Sequence, residues 1–334
     1  MKKIFLFLLL LLPYSVLAID EQKEIIDLNV PFISEAPEKI WSGPWLNGCE
    51  EASVAMVDNF YIGKNKVSAK DAATLMNKLF AWQNKIYKSN ANSNATRTVE
   101  MILKNNLSFK TQIVRNPTLE QIKDELRANR PVISLHYGFD LQNSDLVFRR
   151  DGSAYHMVVI KGFDDNTDEF IVHDNGSHKN GVDFRYKYDI LMSSLRDYNH
   201  QTDKTEKPGT VIFTRQYFTA KVVGFPAIYL IEEGIKKPFP NSAVFKNMGW
   251  QFSQVRQVFA DFLNNLPTKE LANSVEEPFV AKVVGSPAIY LIENGVKKPF
   301  PNSAVFKQMG WQFSQVRKVS AEFLEKLPTE ELVY

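Results

Sequence analysis

The last third of the chain is written twice. Lys221-Val222-Val223-Gly224 returns as Lys282-Val283-Val284-Gly285, and Gly249-Trp250-Gln251-Phe252-Ser253-Gln254-Val255-Arg256 returns as Gly310-Trp311-Gln312-Phe313-Ser314-Gln315-Val316-Arg317. The register holds over about fifty residues with about four positions in five identical, at an offset of about sixty, the range in which one repeat is one small structural unit. Two copies this similar must fold alike, so the region divides into two α+β modules, 220–270 and 281–331. Each opens on a β-like run, Ala227-Ile228-Tyr229-Leu230-Ile231 or Ala288-Ile289-Tyr290-Leu291-Ile292. A hairpin turn follows, Glu233-Gly234 or Asn294-Gly295. An Asn-Ser N-cap then leads into Ala243-Val244-Phe245 or Ala304-Val305-Phe306. The pattern predicts a second helix from Ser253 or Ser314, with Val255, Val258, Phe259 and Leu263 on one face, ending at Leu266-Pro267 or Leu327-Pro328. Neither copy holds Cys or His, so chemistry has to come from elsewhere in the chain. The modules read as surface- or substrate-binding units, or as spacers, with Trp250 and Trp311 in their cores.

The other end reads as an address. Lys2 and Lys3 precede a short apolar run, Ile4 to Leu12, which Pro13 breaks before Val16-Leu17-Ala18. This is the layout of a secretory signal peptide over 1–18, cut after Ala18; an uncleaved anchor is the alternative. It predicts an exported protein, periplasmic, cell-surface or secreted, with no stable membrane span after cleavage. Lys and Arg number 40 against 38 Asp and Glu. With no basic block, no nucleic-acid partner is expected.

Between these ends, helical patterns come first. Leu28 to Ile33 reads as a short edge strand, where Pro31 is tolerated, and Ser34 to Asn47 as an ordered loop. After Gly48-Cys49 a buried helix follows, with Ala52, Val54, Ala55, Met56, Phe60 and Tyr61 inward. Ser68 with Asp71 starts another helix, Thr96 to Lys104 a third, and Thr118 with Gln121 a fourth through a capping-box pattern. Strands then take over at Pro131–Tyr137, Tyr155–Phe163, Glu169–Asp174 and Val211–Thr214, with a turn at Asp164–Asp168. Helices first and an antiparallel sheet second is an α+β order.

Cys49 is the single cysteine. In an exported chain a cysteine without a partner is either reactive or a small buried hydrophobe. It stands where a loop becomes a helix, a position that favours thiolate, although Glu50 and Glu51 oppose this if they face the sulfur. A nucleophile needs a base, and the base an orienting group. His156 opens one strand of a hairpin and Asp174 closes the other. If Phe163 pairs with Glu169 and no bulge intervenes, the two fall on one face. Asp174 beside Asn175-Gly176 is also ordinary turn chemistry. His136, His173 and His178 show no recognised zinc spacing, so no metal and no cofactor is expected, and His173 should face away from Asp174.

The blocks Val30-Pro31-Phe32-Ile33-Ser34-Glu35-Ala36-Pro37, Trp41, Gly48-Cys49-Glu50-Glu51-Ala52-Ser53, Arg130-Pro131-Val132-Ile133, Tyr155-His156-Met157-Val158-Val159-Ile160-Lys161-Gly162-Phe163-Asp164 and Ile171-Val172-His173-Asp174 resemble, in order, those of the peptidase C39-like family. The resemblance covers 28–214. It implies a papain-like cysteine peptidase fold, a peptide or protein substrate, Cys49 as nucleophile, His156 as general base and acid, and Asp174 as orienting group. One position departs: the family places Gln where Glu35 stands, and its amide donates to the oxyanion. An ionised carboxylate there would repel that charge. Asn47 is the second oxyanion candidate. The departure also admits an inactive relative that binds a surface or peptide ligand. The same triad would equally serve a cell-wall amidase or acyl transferase. The C-terminal modules resemble repeats appended to exported bacterial proteins; the resemblance does not identify their ligand, and a cell-surface or cell-wall ligand is the expectation.

Overall fold

The computed structural model describes residues 23–89, 92–148, 154–177, 179–271, 278–293, 296–325 and 327–332. The signal-peptide segment, His178 and the Asn294-Gly295 turn lie outside them. The chain forms two units, Met1–Thr214 and Arg215–Tyr334.

In the first unit, β1 (Ile25–Asp27) is followed by α1 (Cys49–Tyr61), α2 (Ala69–Tyr87) and α3 (Ala95–Lys104). Then come β2 (Phe109–Arg115), α4 (Leu119–Arg127), β3 (Val132–Tyr137), β4 (Tyr155–Asp164), β5 (Glu169–His173) and β6 (Phe184–Lys187). The unit ends with α5 (Tyr188–Ser194), β7 (Asp197–Asn199), β8 (Lys204–Glu206) and the start of β9 (Thr210–Val222). Residues Thr210 to Phe213 of β9 pair with β3, β3 with β4, β4 with β5 and β5 with β6, all antiparallel. The class is α+β, with α1 packed on β4.

Helix α1 is buried nearly all round, its polar residues included, and its apolar stretch sits in the core: Ala52, Val54, Ala55, Met56 and Val57 have no exposed surface. Ser68 accepts from Asp71 N at 3.1 Å, and the Thr118–Gln121 capping box is closed in both directions.

The structure corrects several readings. Leu28 to Ile33 is not a strand; the edge strand is Ile25–Asp27, paired with the end of β4. Leu28 N still reaches Lys161 O at 2.8 Å. The chain then leaves the sheet as it approaches Pro31, which has no N–H to give, while Val30 and Ile33 remain buried. The strand read as Val211–Thr214 runs on to Val222, and β2 was not read at all. The β4–β5 register also differs. Phe163 pairs with Phe170, and a bulge between Ile160 and Gly162 leaves Lys161 as the extra residue.

In the second unit, β10 (Tyr229–Glu232) and β11 (Ile235–Pro238) form the hairpin around Glu233-Gly234, followed by α6 (Ser242–Asn247), β12 (Arg256–Val258) and α7 (Ala260–Asn264). Both turn residues have positive φ, 49° and 74°, as a type I′ turn requires. The second copy runs β13 (Phe279–Val283), β14 (Tyr290–Glu293), β15 (Val296–Pro299), α8 (Ser303–Gln308), β16 (Arg317–Val319) and α9 (Ala321–Glu325). Pairings repeat too: β12 runs parallel to the end of β9, and β16 parallel to β13. Lys236 Nζ and Lys297 Nζ donate to Leu263 O and Leu324 O, each at 2.6 Å. The helix expected from Ser253 or Ser314 is instead one 3-10 turn, a short strand and a short helix. Gln251 and Gln254 cap that turn against each other, β-branched Val255 and Val258 suit the extended stretch, and Phe259 is 79% exposed rather than on a buried face.

Candidate active site

Cys49 is the first residue of α1 and is 3% exposed. A Cβ added to Gly48 would lie 2.9 Å from Glu35 O and 3.3 Å from the Phe80 ring. The loop carrying Glu35 therefore lies directly on the helix start, and only glycine fits beneath it. The Cys49 sulfur, a Glu35 carboxyl oxygen and a ring nitrogen of His156 lie within 4.8 Å of one another.

His156 stands near the start of β4, with Nε2 2.8 Å from Asp174 Oδ1. Asp174 has no exposed surface. Its other oxygen accepts from Tyr186 OH at 2.5 Å and Asn143 Nδ2 at 3.1 Å. Facing a carboxylate, Nε2 carries the proton, which leaves Nδ1 as the nitrogen able to take another. Asp174 reaches this place through the bulge. With the hairpin pairing of Phe163 with Phe170 continued unbroken, Asp174 would oppose Val159 and lie on the face away from His156. The extra residue, Lys161, shifts parity by one and pairs Val159 with His173, which returns Asp174 to the His156 face. The even-sum register expected from the sequence is wrong at the turn and right at the site.

The surroundings of the sulfur are acidic and buried. Cys49 Sγ donates to Glu50 Oε2 at 3.1 Å, and Glu50 Oε1 accepts from Ser93 N at 2.5 Å. Burial first, then the charges of Glu50 and Glu35 and the bond to Glu50, push the thiol well above its ordinary range. Burial likewise raises Glu35 to about 8; His156 pulls it down, while Asp174 and Glu50 add to the rise. Burial holds Glu51 well above the carboxylate range, and neither of its oxygens has a hydrogen-bond partner. For His156, burial opposes the charge, but Asp174's charge and hydrogen bond, with Glu35 and Glu50, outweigh it and raise the pKa. The set can therefore offer a thiol, a base oriented by a carboxylate, and a neutral carboxylic acid able to donate.

Asn47, at the end of a 3-10 turn, is exposed. His173 faces away, with Nε2 2.8 Å from Val30 O. His136 is held between Ser194 Oγ and Ser134 Oγ at 2.8 and 2.7 Å. Among the described residues, the donors close enough to share one metal ion are Glu35, Cys49 and His156, the same atoms that make up the candidate site. The contact of Glu50 with the sulfur, conditional in the sequence, is made; sequence reasoning missed Tyr186, Asn143 and the contacts of Asn175. Each belongs to a weakly patterned strand, a loop or a turn, where no local spacing marks it.

Residues 27–205 match the Peptidase_C39 like family. Among solved structures, a chain from Bacillus anthracis described as a C39-like peptidase is similar at 16% identity, over 57% of this chain and 97% of that one, with a TM-score of 0.36. The periplasmic assembly of the ESX-5 inner membrane complex is similar at 12% identity, over 61% of this chain and 43% of that one, with a TM-score of 0.16. No curated protein matches.

Proposed function

The chain belongs to the Peptidase_C39 like family, and from that premise we propose that it is a cysteine peptidase that cleaves a peptide or amide bond through Cys49, His156 and Asp174. The observation that carries this reading is one constellation. The sulfur and a ring nitrogen of His156 are within 4.8 Å, and the ring is held through Nε2 on a buried carboxylate at 2.8 Å. His156 Nδ1 takes the thiol proton as sulfur attacks the carbonyl carbon. The imidazolium then protonates the leaving amine, the C–N bond breaks, and a thioester remains. Water, deprotonated by His156, attacks the thioester carbon, and the sulfur leaves and recovers the proton.

The tetrahedral oxygen carries negative charge and needs donors. The backbone N–H of Cys49, in the first turn of α1, has no helical carbonyl to serve. Glu35 supplies the second donor. With its pKa near 8, it is a carboxylic acid at neutral pH, so it donates a hydrogen bond where the family's Gln would. In this reading the replacement keeps the donor and makes it pH-dependent.

Replacing Cys49 with Ser tests the function. Incubated with a peptide library, the wild-type protein should generate new N-termini and the variant should lose at least about four orders of magnitude in rate. Undiminished cleavage by Cys49→Ser would end the reading. A second reading, a binding protein on the same fold, draws on the acid cluster: Glu50 accepts the thiol proton at 3.1 Å and competes with His156 for it. Electrophilic labelling of Cys49 that is indifferent to His156 would favour that one. Recovery of an acyl-transfer product in place of new termini would instead mark an amidase or transferase.

The wider assignment has the same standing. We propose that the protein is exported, on the Lys2-Lys3 and Ile4–Leu12 pattern, and that 28–214 carries the chemistry. The modules at 220–270 and 281–331 would hold a surface or substrate ligand. The matched exposed aromatics Phe252 and Phe313, each 54% exposed, support a binding role. Among the described residues, no helix is long and apolar enough to cross a membrane.

A further inference from the structure

Asn175 follows Asp174 and has no exposed surface. Its Nδ2 lies 3.1 Å from Cys49 O, 2.9 Å from Ser53 Oγ and 3.0 Å from Met157 O. The two carbonyls only accept, so the amide cannot be turned round; Oδ1 in that place would face oxygen. The consequence is that Oδ1 is buried with no hydrogen-bond partner among the described residues. Native folds rarely leave such an acceptor unpaired, and each case asks for a reason. The backbone of the same residue is also engaged: Asn175 O accepts from Glu35 N at 3.0 Å. Asn175 thus touches Cys49, which bears the sulfur, Met157, which follows His156, and Glu35, which bears the carboxyl of the site. A peptide bond joins it to Asp174.

We propose that Asn175 is the positioning residue of this site. It docks the first turn of α1 on β4 so that the Cys49 sulfur and His156 meet at reacting distance. This rests on the catalytic reading of Cys49 and His156 given above. Sulfur and imidazole come from two separate elements, so their separation is set by how the helix start seats on the strand. Asn175 bonds to both sides of that seam. A shift of about 1 Å between reacting groups can cost about a hundredfold in rate.

Cys49 is the single thiol, so its alkylation by iodoacetamide needs no knowledge of the substrate. The rate is measured from pH 5 to 9 in the full-length protein, in His156→Ala, in Asn175→Ala and in Asn175→Ser. Ser53 Oγ already donates to Met157 O at 3.1 Å, so Asn175→Ala leaves that carbonyl served and the fold should survive. The wild type should show a His156-dependent acceleration. Asn175→Ala should lose about a hundredfold and take on the pH profile of His156→Ala. Asn175→Ser, which keeps one short donor, should fall between. If Asn175→Ala fails to fold, Asn175→Ser alone decides: an intermediate profile supports the proposal and a wild-type profile overturns it. A folded Asn175→Ala with the wild-type profile would show that the residue only packs, and would also overturn it. If wild type and His156→Ala alkylate alike, the catalytic pair itself fails and takes this proposal with it, a result distinct from a failure confined to Asn175.

Discussion

His136 and His156 are direct cross-strand partners on β3 and β4, and both are buried. Their surroundings nonetheless differ in one respect that sets everything else. His136 meets two serine hydroxyls. With burial as the largest cause and the charge of His156 adding, its pKa falls to about 3. His156 meets Asp174, and the carboxylate overcomes the same burial and raises it. Burial alone makes a histidine inert; a buried counter-charge turns it into a base. The reactive side of this sheet is therefore defined by which partner each imidazole finds.

The largest expected effect comes from making the His156 side resemble the His136 side. In Asp174→Asn the Tyr186 hydroxyl and Asn143 amide, which now donate to Oδ2, fix where the new carbonyl oxygen sits. The new amide nitrogen must then face His156 Nε2. The imidazole would have to accept there, which moves its proton to Nδ1 and leaves nothing to take the thiol proton. Turnover should fall by about four orders of magnitude, the scale of a wrong-tautomer defect. The His156 pKa, read by NMR, should drop. A variant with near wild-type rate would mean that the ring is oriented by something other than Asp174.

Much of this region was legible, and the gaps have a common cause. Local signals agree with the structure: the Ser68 and Thr118 caps, the buried helix after Cys49, and the turn at Asp164–Asp168, where Asn166 N bonds to Asp164 Oδ1 at 3.0 Å. Cys49, Glu35 and His156 stood out as residues of the right type in the right order, and they meet. What failed was non-local. Phe109–Arg115 alternates weakly and carries charge at both ends, so its pairing with β9 leaves little trace in its own sequence. The bulge at Lys161 serves the close approach of β1: a Cβ on Gly162 would lie 2.2 Å from Ile26 O. A residue more than a hundred positions away dictates it. Asn175 looked like turn chemistry because its three acceptors are invisible until the chain has folded.

A smaller effect separates the acid from the base. Glu35 should impose the falling limb of the pH–rate profile and His156 the rising one. Below pH about 8 Glu35 donates; above it the carboxylate repels the oxyanion. Glu35→Gln should change little at pH 7. At pH 9, one unit above that pKa, about a tenth of Glu35 still carries its proton, so Glu35→Gln should exceed the wild type by about tenfold. Stability follows the same sign. A carboxyl raised from 4.5 to about 8 contributes stability that is fully present below 4.5 and lost as pH rises through 8, and Glu35→Gln should flatten that decline. If both variants share one alkaline limb, Glu35 is not the donor, and Asn47→Ala becomes the variant to measure.

The smallest effect on rate tests the inert half of the comparison. His136→Gln keeps a donor and an acceptor between Ser134 and Ser194, and it removes no charge from beside His156 because His136 is held neutral, so turnover and its pH profile should stay within about twofold. Stability should change in a particular window. His136 is held neutral in the fold down to about pH 3, against an ordinary value of 6.5, so the unfolded chain takes up a proton that the native one refuses. The contribution of His136 to wild-type stability is therefore complete above pH 6.5 and is lost progressively as pH falls toward 3, by up to a few kcal/mol. Gln has no such proton to gain. Denaturant melts at pH 7 and pH 4 should show the variant somewhat weaker at pH 7, from imperfect replacement of two buried hydrogen bonds, with a smaller further loss at pH 4 than the wild type. An equal acid loss in both proteins would place the acid sensitivity elsewhere. An altered pH–rate profile in His136→Gln would mean that the two imidazoles are coupled across the strands and that the inert one is part of the reactive one's environment.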